Sequence, residues 1–201
     1  MMKSFTASPD FVIRSPETAE EIEHYFRLNA KIFRPDEDTV LVASRRRRYI
    51  EHDPDFQLLQ LRSAFYRKTY VGSYLIQERL LCVESRRLRI GCIGGVVTDQ
   101  DYRHKGIATA LMQDAIAFAR NRQYSFLLLD GVPDYYQQHG FIDVIEDMPQ
   151  HAVGRALIPD QPSEQCFVRV AELSDAAYLL ALYVEHNRAS MYTFALSLIH
   201  I

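Results

Sequence analysis

Cysteine is scarce in this chain of 201 residues, with three at Cys82, Cys92 and Cys166, no CxxC pair and no metal-ligand spacing to the histidines. That excludes a disulfide framework and fits reduced thiols in a cytoplasmic protein. Long apolar runs are also missing. No segment approaches the roughly 20 apolar residues of a membrane span, and Met1 to Phe5 leads into Ser8-Pro9-Asp10 without the apolar stretch of a secretory signal. The expectation is a soluble, cytoplasmic protein with no membrane partner. Charge of one sign is not in excess either: the net charge is -3 and the pI about 6.2. There is no overall drive toward nucleic acid, and any anion site must be built locally. His24, His52, His139, His151 and His186 are scattered without HExxH spacing, so no metal is expected.

What is present is an ordinary globular balance, 48% hydrophobic and 24% charged, with room for one sizeable core. Phe11-Val12-Ile13 reads as a strand, and Ile22, Phe26, Ala30 and Phe33 recur at helical spacing until Arg34-Pro35, where proline ends the helix. A second helix is expected over Asp38 to Ile50. It carries Arg45-Arg46-Arg47-Arg48, read as a solvated face and not a nucleic-acid patch, because four consecutive helical residues cannot all face one partner.

Leu58–Phe65, Tyr70–Cys82 and Leu88–Val97 then read as three strands of an antiparallel meander, followed by a helix over Ala108–Arg120 and a buried strand at Phe126–Leu129. A short helix is expected over Tyr135–His139, capped by Gly140, and a further strand over Phe141–Ile145. This makes an α+β (mixed α/β) domain over residues 1–157. Residues 158–166 are polar and proline-bearing, which suits a linker. Residues 167–195 repeat the opening strand-and-helix pattern and read as the start of a second domain. The last six, 196–201, resemble the translated end of a sequencing-library adaptor and are set apart from the fold.

The informative stretch runs from Val96 to Ala108. A strand ends, and a loop holding Arg103, His104, Lys105 and Gly106 leads straight into an amphipathic helix. The first turn of a helix leaves backbone N–H groups unpaired at the positive end of the macrodipole, and this is an anion cradle. Gly106 and Ala108 keep side chains out of the way. Neither GxGxxG nor a Walker GKS/GKT is present, which weighs against dinucleotide and nucleoside-triphosphate sites.

Arg103, Gly106 and Ala108 match the Arg/Gln-x-x-Gly-x-Gly/Ala signature of the GNAT superfamily of N-acetyltransferases, which the chain resembles. A second match is Tyr135-Tyr136-Gln137-Gln138-His139-Gly140-Phe141, similar to that superfamily's aromatic-Tyr-x-x-x-Gly-Phe element. The resemblance implies a mostly antiparallel sheet flanked by helices and splayed at the cofactor strand, Cys92–Val97. It implies acetyl-CoA as donor, held by Ile93, Val96 and Val97 on that strand and by Arg103, His104, Lys105, Gly106, Ile107, Ala108 and Thr109 at the loop and helix start. It also implies that Tyr136 protonates the departing thiolate, a role that a phenol of pKa near 10 can fill. The stretch from Leu129 to Tyr136 is similar to a bacterial acetyltransferase branch related to the enhanced-intracellular-survival group, and residues 167–195 again look like an N-acetyltransferase opening. By that analogy the acceptor is a small-molecule amine or polyamine, with a tandem second domain in the intact protein; a homo-oligomer is compatible.

Competing readings stand beside these. Tyr136 could be a packing tyrosine, Cys92 a small core residue, and the whole domain a non-catalytic acyl-CoA-binding module or a protein N-acetyltransferase. Glu84, Asp99 and Asp130 are the candidate bases for the acceptor amine, with nothing to choose between them.

Overall fold

The computed structural model describes residues 11–83, 85–132, 134–144, 169–186 and, for the backbone alone, 192–194. Strand β1 (Phe11–Arg14) precedes helices α1 (Ala19–Phe33) and α2 (Thr39–Glu51). Strands β2 (Leu61–Tyr66), β3 (Thr69–Val83) and β4 (Arg86–Thr98) follow, then α3 (Ile107–Asn121), β5 (Leu127–Leu129), α4 (Ala176–His186) and β6 (Tyr192–Phe194). The sheet order is β1-β2-β3-β4-β5, with β6 added along the end of β3. All neighbours are antiparallel except β4 and β5. This is the expected α+β arrangement.

Local chemistry sets the helix ends. The Thr18 hydroxyl accepts from the Glu21 N–H at 3.2 Å, and the Asp38 carboxylate from the Leu41 N–H at 2.7 Å, so each helix starts on a side-chain cap. Where α1 stops, the Arg34 N–H still reaches the Ala30 carbonyl at 2.9 Å, and Pro35 supplies no donor to carry the helix on. The β2–β3 hairpin turns on Arg67 and Lys68, both at positive φ, 45° and 71°.

The sheet is covered on both faces. Tyr74, Ile76, Ile93, Ile107, Leu111 and Met112 form the core under α3, and Tyr25, Phe26, Ala30, Ala43, Ile50, Leu61 and Leu75 form the core under α1 and α2. A polar tie holds α3 in place. The Arg62 guanidinium grips Asp114 with bonds of 2.9 and 3.0 Å, and the buried Tyr74 hydroxyl donates to the same carboxylate at 2.6 Å. Asp114→Ala therefore leaves a guanidinium and a buried phenol without their acceptor. A loss of about 3 kcal/mol is expected, a fall of roughly 6–12 °C in melting temperature. A shift within about 2 °C in a thermal melt would remove this tie from the account of how α3 is held.

Four expectations need correction. Residues 58–60 form a 3-10 turn and not the start of a strand, because Gln57 and Gln60 close a reciprocal cap there. Residues 141–144 make no ladder; Ile142 and Val144 are exposed, and β5 is only three residues long. The strand β5 is half-buried, with Phe126 outside it. Of the strand expected over residues 167–170, Arg169 and Val170 form none, although the helix expected after it is present as α4. The linker at 158–166, Phe167, Val168 and the terminal six residues lie outside the described residues.

Candidate functional site

Strand β4 is the spine of the site. It pairs with β5 only at Gly91, Cys92 and Ile93, opposite Leu127, Leu128 and Leu129. Beyond Ile93 the two strands part, so the β4 edge from Gly94 to Val97 has no ladder partner on that side among the described residues. At the same place the β3–β4 register slips between Ser73 and Leu75, whose partners are Val97 and Gly94. Gly95 stands at that bulge with φ of 62°, a conformation that glycine adopts without a Cβ penalty. An added Cβ there would lie 2.6 Å from Asn29 Oδ1 and 2.8 Å from Arg46 Nη2, so the bulge abuts α1 and α2.

At the end of β4 the chain turns through Asp99 to Tyr102 and enters α3. The N-cap is Gly106 at φ 77°, with no side-chain cap bond, so the first-turn N–H groups remain available to an incoming acceptor. Arg103, His104 and Lys105 are exposed. The Lys105 ammonium is already engaged: it donates to the Asp101 carbonyl at 3.2 Å and lies 4.6 Å from the centre of the Tyr102 ring. Ala108 and Thr109 are half-buried. Ile93, Val97 and Ile107 turn their side chains into the core, at 6%, 3% and 2% exposure, so only their backbone can meet a ligand. Val96 is half-buried and packs at the margin of the same core.

Tyr136 follows β5, ahead of a 3-10 turn at Gln137–His139 that ends at Gly140 in left-handed geometry. Its ring packs edge-on against Tyr135, 5.0 Å between centroids, and against Phe141 at 6.0 Å. A Cβ on Gly131 would stand 2.2 Å from Tyr136 Cε2, so the ring rests directly on the Gly131 backbone. Burial, and then the negative charge of Asp130, push the Tyr136 hydroxyl above the usual tyrosine range. The Tyr135 hydroxyl is buried beside Thr109, in the first turn of α3, without a well-formed hydrogen bond. Tyr135, Tyr136, Phe141 and Val96 all pack on the core that holds Ile107. The two sequence elements thus meet in one region.

Of the three acids considered as bases, Asp99 accepts the Asp101 N–H at 3.0 Å within its own turn. Asp130 is exposed and close enough to Tyr136 to act on it electrostatically. Glu84 lies outside the described residues. Cys92 is half-buried, and desolvation raises its thiol, which suits a packing residue. Among the described residues no group of three His, Cys, Asp or Glu could hold a metal ion, and no helix is long and apolar enough to cross a membrane.

The arginine run behaves less uniformly than a solvated face. Arg45 and Arg48 are exposed, and Arg47 pairs with Glu23 at 2.6 Å over the Phe26 ring. Arg46 turns inward to the β4 bulge, which the sequence reading missed. The signal was available in the spacing: Ala43 and Ile50 are buried seven residues apart, and position 46 lies on their side of α2.

The sheet thus parts beside an uncapped helix start, which leaves a strand edge and a set of helix N–H groups open in one region. The acetyltransferase (GNAT) domain family matches residues 13–142, and the chain belongs to that family. Solved structures share the fold. Glucosamine-6-phosphate N-acetyltransferase from Arabidopsis thaliana superposes with a TM-score of 0.53 at 15% identity, over 70% of this chain and 97% of its own. A transcriptional regulator from Bacillus halodurans C-125 gives 0.56 at 21% identity, over 71% and 99%. Eis1 from Mycobacterium abscessus gives 0.53 at 17% identity, over 65% of this chain and 30% of its own. Comparison with curated proteins by sequence finds no match. The family supports acetyl transfer as the general activity.

Proposed function

We propose that the chain is an acetyl-CoA-dependent N-acetyltransferase acting on a small-molecule amine by direct attack in a ternary complex. The observation that carries this reading is the coincidence of the uncapped Gly106 helix start, the unpaired β4 edge and Tyr136 on one core. These residues fit the donor. The first-turn N–H groups of α3 would take its pyrophosphate, Ala108 leaves room there, and the Gly94–Val97 backbone would pair with its pantetheine arm. When bound, the donor supplies an acetyl thioester.

The chain's own groups do the rest. At the β4 bulge, N–H donors of the open edge would polarise the reacting carbonyl. Holding both reactants beside the β4 bulge lowers the entropy cost of their meeting. As the C–N bond forms and the C–S bond breaks, Tyr136 gives its proton to the leaving sulfur, and the amine proton passes to a base or a water chain. The elevated pKa of Tyr136 keeps that proton in place at neutral pH.

A non-catalytic module would bind acetyl-CoA and turn nothing over. A free-thiol release assay with acetyl-CoA and a panel of amines separates the two: amine-dependent release is expected, whereas cofactor binding with no release from any amine would favour the module. The reading of residues 167–195 as the opening of a second domain is supported by α4, where Tyr178, Leu182 and Val184 are exposed.

A further inference from the structure

A cleft of about 730 Å³ opens between α1 and α2, lined by Asn29, Phe33, Arg34, Arg45, Arg46 and Tyr49 among others. Two of its lining residues, Asn29 and Arg46, also flank Gly95 of the β4 bulge. Two of its buried polar atoms are open. Asn29 is 1% exposed, its amide N–H₂ donates to the Tyr25 carbonyl at 3.0 Å, and its Oδ1 is buried with no hydrogen-bond partner. Arg46 Nε is buried and unpartnered as well. Arg46 Nη2 reaches only the Tyr25 hydroxyl, at 3.5 Å, the outer limit of a hydrogen bond. Arg45 and Arg34 share Glu37, at 3.9 and 3.7 Å, while Arg46 makes no ion pair among the described residues.

Buried donors and acceptors left open cost stability unless a ligand completes them. A guanidinium completes itself on an oxyanion, which its fork of N–H groups matches. Three guanidinium groups against one carboxylate also make the cleft repel a polycation. Resting on the acetyltransferase reading, we propose that this cleft holds the acceptor, that Arg46 grips a carboxylate or phosphate borne by that amine, and that Asn29 Oδ1 accepts one of its N–H groups. The substrate class is then an anionic amine and not a polyamine.

The test pairs amines with and without the anion, an amino acid against its methyl ester and an amino sugar phosphate against its amino sugar, each compared per free amine, with spermidine as the polycation. Wild-type protein is expected to favour the anionic member of a pair by roughly ten- to a hundredfold in kcat/KM, and the two pairs tell carboxylate from phosphate. Arg46→Gln should raise KM for the anionic amines by a similar factor with kcat nearly unchanged and KM for acetyl-CoA unmoved; Arg46→Lys should recover part of the loss. Calorimetric titration of the same amines, with coenzyme A present, should show binding that Arg46→Gln abolishes. Preference for spermidine or the neutral partners, equal damage to both members of a pair, or no anion-dependent binding would each overturn the proposal. Anionic amines bound through Arg46 without thiol release would instead leave this site standing and sink the acetyltransferase reading.

Discussion

Tyr136→Phe should lower the turnover of amine acetylation by about 10²- to 10⁴-fold, the usual worth of a positioned general acid, while acetyl-CoA binds as before. The change removes one oxygen from a half-buried ring whose packing against Tyr135, Phe141 and Gly131 is otherwise kept. Stability should hardly move, so the effect falls on chemistry. The pH profile gives an independent readout. Burial and the Asp130 charge raise the pKa of Tyr136 above its ordinary value, so the acid stays protonated past the pH at which an ordinary tyrosine ionises. The rate in wild-type protein should rise as the amine loses its proton and should not fall before that limit. A fall centred below pH 9, or a phenylalanine variant with near-normal kcat, would take the acid role away from Tyr136.

Gly106→Glu should weaken acetyl-CoA binding by a hundredfold or more, because it sets a carboxylate where a pyrophosphate must sit, at a cost of several kcal/mol. The φ of 77° at this position adds strain that a non-glycine residue meets in left-handed geometry. Gly106→Ala carries the strain without the charge and serves as the comparison. Lys105→Gln should cost less than about fivefold, since that ammonium is exposed and already occupied by the Asp101 carbonyl and the Tyr102 ring. Calorimetry on the three variants ranks them. Equal losses for Lys105→Gln and Gly106→Glu would show that side-chain charge, and not the helix-start backbone, holds the donor.

The strand, loop and helix from Val96 to Ala108 were legible because each carries a local signature: an apolar run, a glycine at the turn, and a stripe of Leu111, Ala115 and Phe118. Gly140 as a cap and Arg34-Pro35 as a helix end were legible for the same reason. The bulge at Gly95 was not, since two adjacent glycines in a strand do not reveal which of them takes positive φ. Arg46 was hidden by its neighbours. A run of four arginines reads as one charge, whereas the helix sends each in its own direction, to Glu37, to Glu23, to solvent, or into the cleft. The turn at residues 58–60 depends on a reciprocal glutamine cap, a weak signal beside the apolar pattern around it. The irregular course of residues 141–144 depends on where a partner strand is absent, which no local pattern records.

The contact between Tyr136 and Gly131 bears on how this chain tolerates change over evolutionary time. One side of the ring is seated on bare backbone just beyond β5, where there is no side chain to drift, while Tyr135 and Phe141 pack against the rest of it. On that side the constraint gathers on one position. Any side chain at 131 displaces the ring, so a lineage can lose this placement of the phenol while every matched motif residue stays in place.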